Sequence, residues 1–107
     1  MAPVELTVVI TPKSPEKGAQ FLELFQKCVD YVQQHERSYV YRYEMHKGIK
    51  ELNGKEQFVV LEGYTGKEGM EKHMKVPPVL GLLKVMGDLV DTQVIMTTKG
   101  AGITARL

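Results

Sequence analysis

His73 is the side chain best suited to move a proton near neutral pH, because the ordinary imidazole pKa lies there. It stands nine positions after Tyr64, and Tyr64 follows Glu62 by two. A carboxylate, a phenol and an imidazole at that spacing can take a proton from a ligand, orient it and stabilise the resulting anion. Each has a plainer use as well. His73 can hydrogen-bond locally or pack around Tyr64, and Tyr64 can anchor a helix to a sheet. Glu62 interrupts a mainly apolar stretch, where a carboxylate needs a partner or a raised pKa. An ion pair with Arg42 is the expected partner.

Tyr39, Tyr41 and Tyr43 occupy alternate positions. In one regular strand they share a face, with Met45 beside them, and make an aromatic wall with polar tips. Such a wall suits a pocket for a flat aromatic ligand, or a protein interface, where tyrosine is also enriched. There is one cysteine, Cys28, so no internal disulfide and no cysteine-based zinc site can form. The three histidines, His35, His46 and His73, have no metal-ligand spacing. No metal is expected. Cys28, Met70, Met74 and Met86 read as packing residues.

The elements that must hold these groups can be read from periodicity. Val4 to Thr11 alternates as a strand, with Val4, Leu6, Val8 and Ile10 on one face. Ser14 is a good N-cap, Pro15 suits the first helical turn and Glu16 suits the positive end of the helix dipole. Phe21, Phe25, Cys28, Val29 and Val32 then recur at helical spacing, predicting a helix from Pro15 to about Glu36. Ser38 to Lys47 and Gln57 to Tyr64 read as strands joined through Asn53-Gly54, a hairpin signal. Lys67 to Lys75 reads as a short helix broken by Pro77-Pro78. A second helical piece carries Val79, Leu82, Leu83, Met86 and Val90, and Asp91 to Thr98 is a fourth strand. The tail, Gly100 to Leu107, is expected as an arm or an extra strand.

This order is the split βαβ pattern of ferredoxin-like α+β domains: one four-stranded antiparallel sheet with helices on one face. The uncovered face should then be polar in a monomer. Instead the third strand carries large apolar groups on both sides, which is unusual on a monomer. Two sheets packed face to face through a twofold axis resolve this. A homodimer is expected, with the space so enclosed available to a ligand.

The 107 residues fit one domain spanning 1–107. Net charge is +1, with 14 basic and 13 acidic residues, which points away from a nucleic-acid partner. The apolar runs are too short for a membrane span, and Met1 to Glu5 lacks the features of a signal peptide. A cytoplasmic location is expected.

The stretch from Phe58 to Met74, with its strand ending Glu62-Gly63-Tyr64, a turn, and a histidine nine residues later, resembles the signature of the antibiotic biosynthesis monooxygenase family. Tyr43-Glu44 is similar to that family's Tyr-Glu step. The resemblance implies the dimeric α/β-barrel fold. It also implies a monooxygenase that uses dioxygen without metal or flavin to oxidise an electron-rich aromatic of anthrone, quinol or polyketide type. On that reading His73 and Tyr64 are catalytic, and Tyr39, Tyr41, Tyr43 and Glu62 bind the substrate. Family oxygenases use an Asn, Trp and His set. This chain has no Trp, Tyr64 stands at the Trp position, and its one Asn, Asn53, lies in a loop. Haem is therefore not expected as a cofactor. A non-oxidative polyketide cyclase and a non-catalytic small-molecule-binding module are the alternatives.

Overall fold

The structure is a computed structural model that describes residues 2–102. β1 (Val4–Pro12) leads into α1 (Pro15–Tyr31), which widens into a π-helical turn over Val32–Glu36. β2 (Val40–Lys47), the single-turn α2 (Lys50–Asn53) and β3 (Phe58–Tyr64) follow. α3 (Lys67–His73), α4 (Pro77–Leu89) and β4 (Val90–Thr97) complete the described fold. The four strands form one antiparallel sheet in the order β2-β3-β1-β4. The architecture is the expected ferredoxin-like α+β layer.

Local chemistry explains the starts and stops. The Ser14 hydroxyl accepts the Lys17 N–H at 3.2 Å and Pro15 opens the helix, as the sequence indicates. Pro77 and Pro78 separate α3 from α4, as the sequence indicates, by opening the first turn of α4. Asn53-Gly54 does not form a two-residue hairpin. Lys50–Asn53 makes one helical turn, which Gly54 closes at φ 77°, a left-handed conformation that glycine adopts without steric cost.

The core lies between the sheet and the helices. Leu6, Val8 and Ile10 from β1 and Phe58 and Val60 from β3 face Phe21, Phe25, Cys28, Val79, Leu82 and Leu89 from the helices. α1 packs against α4. Phe21 stacks on Phe25 and on Phe58 with centroids 5.9 and 6.1 Å apart. Burying each of these side chains stabilises the fold by about 1.5–3 kcal/mol in transfer terms.

One feature of β2 departs from the sequence reading. Val40 pairs with Tyr64 and Arg42 with Gly63, so Tyr41 is an extra residue in a β-bulge. The insertion shifts the alternation by one. Val40, Tyr43 and Met45 face the helices, whereas Tyr41 lies on the other side of the sheet. Tyr39, Tyr41 and Tyr43 therefore do not form one wall.

The far side of the sheet carries Val9, Val59, Leu61 and Ile95, with Thr7 between them in register with Leu61 and Ile95. Ile95 is half exposed and no helix covers this face among the described residues. Residues 98–102 form no strand, and the remainder of the expected arm, 103–107, lies outside the described residues. No helix among the described residues is long and apolar enough to cross a membrane.

Candidate active site

A cavity of about 270 Å³ lies between the helix-facing side of the sheet and α1, α3 and α4. Its walls are apolar: Leu6, Val8, Phe25 and Val60 on one side, Leu82 and Met86 on another. Leu83, Val94 and Met96 also line it and are themselves about half exposed, so this end is the mouth. Tyr43, Glu62, His73 and Thr92 are its polar lining residues. The cavity thus lies within a single chain. It lies on the helix-covered side of the sheet, bounded by α4 and by the β1–β4 half of the sheet.

The register explains how the polar groups meet. Tyr43 lies directly opposite Glu62 on the β2–β3 ladder, and Tyr64 follows Glu62 on the same face of β3. His73, in the last turn of α3, is brought against both rings: its ring lies 4.8 Å from that of Tyr43, edge-on, and 5.5 Å from that of Tyr64. Phe25 stacks on the other side of Tyr43 at 5.0 Å. Among the described residues, Glu36, Glu62 and His73 are the buried polar or charged side chains.

Glu62 does not pair with Arg42. Arg42 is exposed and bonds Glu44 at 2.8 Å, on the face that the bulge turns away from the cavity. The Glu62 carboxylate instead accepts the Tyr64 hydroxyl. Burial pushes the Glu62 carboxyl above its ordinary range, partly offset by the Tyr64 hydrogen bond and the nearby His73. Burial, with Glu62 next, pushes both the Tyr43 and Tyr64 phenols up, so both keep their protons and remain donors.

His73 is 1% exposed, and its Nδ1 lies 2.8 Å from Oε1 of Glu36. The second carboxylate oxygen of Glu36 accepts the Tyr39 hydroxyl at 2.5 Å. Burial and the Glu36 hydrogen bond both raise the Tyr39 phenol pKa. Tyr39 reaches the surface, where the Lys72 ammonium sits 4.8 Å over its ring.

The structure thus brings together His73, Tyr64, Tyr43 and Glu62. Tyr39 acts from behind His73, outside the cavity. Tyr41 is remote: its hydroxyl bonds Glu5 at 3.0 Å on the open face. Sequence reasoning missed Glu36. A signal existed, because Glu36 continues the Phe21, Phe25, Cys28, Val32 stripe by four residues. A carboxylate on an apolar stripe implies a buried partner. No group of three or more possible metal ligands occurs among the described residues.

No family model matches the chain. No curated protein matches it in sequence. Solved structures do match it in three dimensions. A candidate antibiotic biosynthesis monooxygenase from Caulobacter crescentus superposes with a TM-score of 0.78 at 16% identity, over 94% of this chain and 92% of that one. SnoaB, a cofactor-independent oxygenase from Streptomyces nogalater, gives 0.77 at 11% identity, over 98% and 100%. A candidate antibiotic biosynthesis monooxygenase from Deinococcus radiodurans gives 0.72 at 14% identity, over 97% and 98%. The chain therefore has the α+β fold found in structures assigned to the antibiotic biosynthesis monooxygenases and in a cofactor-independent oxygenase.

Proposed function

We propose that this protein is a cofactor-independent monooxygenase that oxidises an electron-rich aromatic, of the anthrone or quinol type, with dioxygen. The observation that carries the reading is a buried imidazole on the wall of an apolar cavity, with one ring nitrogen committed to a buried carboxylate. Cofactor-independent oxygen chemistry needs a substrate that supplies its own electrons, a base and a dry pocket. The cavity, His73 and the fold it shares with SnoaB all suit that chemistry.

For an anthrone, His73 takes a proton from the activated CH₂ carbon. The delocalised anion passes one electron to dioxygen, and the two radicals combine at carbon as a peroxide. Loss of the second proton from that carbon breaks the O–O bond, leaving a carbonyl and releasing water. One CH₂ and one O₂ become one C=O and one H₂O, so no outside reductant is required. Tyr43 donates to the substrate oxygen, on which negative charge develops. Glu62, raised by burial, shares that end of the cavity and is held in place by Tyr64. Tyr39 and Tyr41 make no contact with substrate in this scheme.

The test is oxygen uptake and product analysis with a panel of anthrones and quinols. Turnover should fall at least about a hundredfold in His73→Ala, the ordinary worth of a positioned general base. Unchanged turnover removes His73 from the chemistry. Substrate conversion without oxygen uptake indicates a cyclase, and tight binding without conversion a binding module.

The open sheet face supports a homodimer as the working unit. Val9, Val59, Leu61 and Ile95 lie together there, and a second copy would cover them. Sedimentation at micromolar concentration should give twice the chain mass; a monomer counts against the pairing.

A further inference from the structure

We propose that Glu36, clamped by Tyr39, is a positioning residue that fixes the tautomer of His73 so that Nε2 faces the cavity as a proton acceptor. The tautomer stands on geometry alone; its use in turnover rests on the function proposed above.

An ionised carboxylate can only accept. The Tyr39 hydroxyl, its proton held by burial and by Glu36, donates to Oε2 at 2.5 Å. His73 Nδ1 lies 2.8 Å from Oε1. The stable arrangement therefore puts the neutral imidazole's hydrogen on Nδ1, and Nε2 keeps its lone pair. The His73 ring lines the cavity, and with Nδ1 committed to Glu36, Nε2 is the nitrogen left to meet a ligand. Without the carboxylate, either tautomer is available, and the Nε2–H form has no lone pair there to take a proton.

Burial makes the effect strong. Glu36 is 0% exposed and His73 is 1% exposed, so no water competes for the bond. Backbone geometry holds both ends. The π-helical turn Val32–Glu36 delivers Glu36, and the Tyr39 N–H bonds the Glu36 carbonyl at 3.2 Å, folding Tyr39 back over the carboxylate. The same Tyr39 carbonyl accepts the Thr65 N–H at 3.0 Å, which ties this corner to the turn leading into α3 and His73.

The test reads the tautomer directly, by nitrogen-15 NMR of the His73 imidazole titrated to its neutral form. Wild type should show hydrogen on Nδ1. Tyr39→Phe should show the same, because the carboxylate still accepts. Glu36→Gln should move hydrogen to Nε2, because the amide oxygen turns to Tyr39 and its NH₂ donates to Nδ1. Adding Tyr39→Phe to Glu36→Gln frees the amide oxygen for His73 and should restore the Nδ1–H form. A wild-type protein with hydrogen on Nε2 overturns the proposal, and so does a tautomer that none of the variants changes. With an oxidisable anthrone, Glu36→Gln should lower kcat at least tenfold with little change in KM, and the double variant should recover part of it. The NMR pattern without turnover on any substrate would leave the tautomer assignment standing and refute the oxygenase reading instead.

Discussion

Tyr64 donates its hydroxyl to Glu62 from two residues further along the same face of β3, inside a core where few other polar groups occur. The hydrogen bond makes a buried carboxylate tolerable but does not cancel the burial, and the net effect is a raised pKa. Folding therefore disfavours ionisation of Glu62 relative to the unfolded chain. The stabilising effect of the neutral acid is complete below the ordinary carboxylate pKa of 4.5 and fades as pH rises through the higher folded value. Glu62→Gln keeps an acceptor for Tyr64 and never ionises. Its melting temperature should match wild type near the bottom of the carboxylate range and exceed it by a few degrees at neutral pH, as a change of order 1 kcal/mol gives in a domain this size. Paired thermal melts across that range decide it. A gap that shrinks as pH rises contradicts the assignment.

The elements around this pair were readable because their periodicity was regular. Phe58, Val60, Glu62 and Tyr64 alternate cleanly, and all four are buried. Leu6, Val8 and Ile10 do the same in β1. The β2 bulge was not readable, since Tyr39, Tyr41 and Tyr43 look like perfect alternation. A one-residue insertion changes the hydrogen-bonding phase without leaving a mark on composition. Glu36 was hidden differently. Between His35 and Arg37, at the end of a helix, it looks like solvated surface, and only its helical phase relative to Val32 says otherwise.

Tyr41 depends on the absence of a side chain at Gly63. A Cβ placed there would lie 2.6 Å from the Tyr41 ring, so the ring occupies space that only glycine leaves free. Gly63→Ala should swing the ring off the sheet, break its bond to Glu5 and destabilise the protein by about 1 kcal/mol. In a Tyr41→Ala background the same substitution should cost much less. A urea-denaturation double-mutant cycle measures this coupling. Additive effects would mean that the ring and the glycine do not interact.

The cavity makes a small-to-large substitution unusually tolerable. Val60 is 2% exposed, sits opposite Val8 and Met45 in register, and lines the empty space. In a filled core Val60→Phe would cost roughly 1–3 kcal/mol from overpacking. Here the ring can enter the cavity, so stability should change by less than about 1 kcal/mol. Ligand capacity should suffer more: the apparent KM for an anthrone should rise at least tenfold. A large loss of stability would indicate that the cavity is not available to a side chain.

Cys28 offers a way to detect a cavity ligand without any turnover. The thiol is fully buried on α1 and donates to the Pro78 carbonyl at 3.4 Å. Burial, with smaller contributions from Glu62 and Glu36, raises its pKa to about 11. At about pH 8 roughly one thiol in a thousand would be thiolate, the form that reacts. Alkylation of the folded protein should therefore be slow and governed by transient unfolding, whereas urea should expose Cys28 to labelling at the rate of a free cysteine. A ligand that binds only the folded state stabilises it by about 2.7 kcal/mol at about 100 times its Kd. If labelling requires that unfolding, the ligand should slow it about a hundredfold. Candidate anthrones, quinols and naphthols can be ranked this way in parallel with oxygen uptake. Rapid labelling of the native protein, with no response to urea, would show that the thiol is reached through local opening and would contradict its assignment to the core.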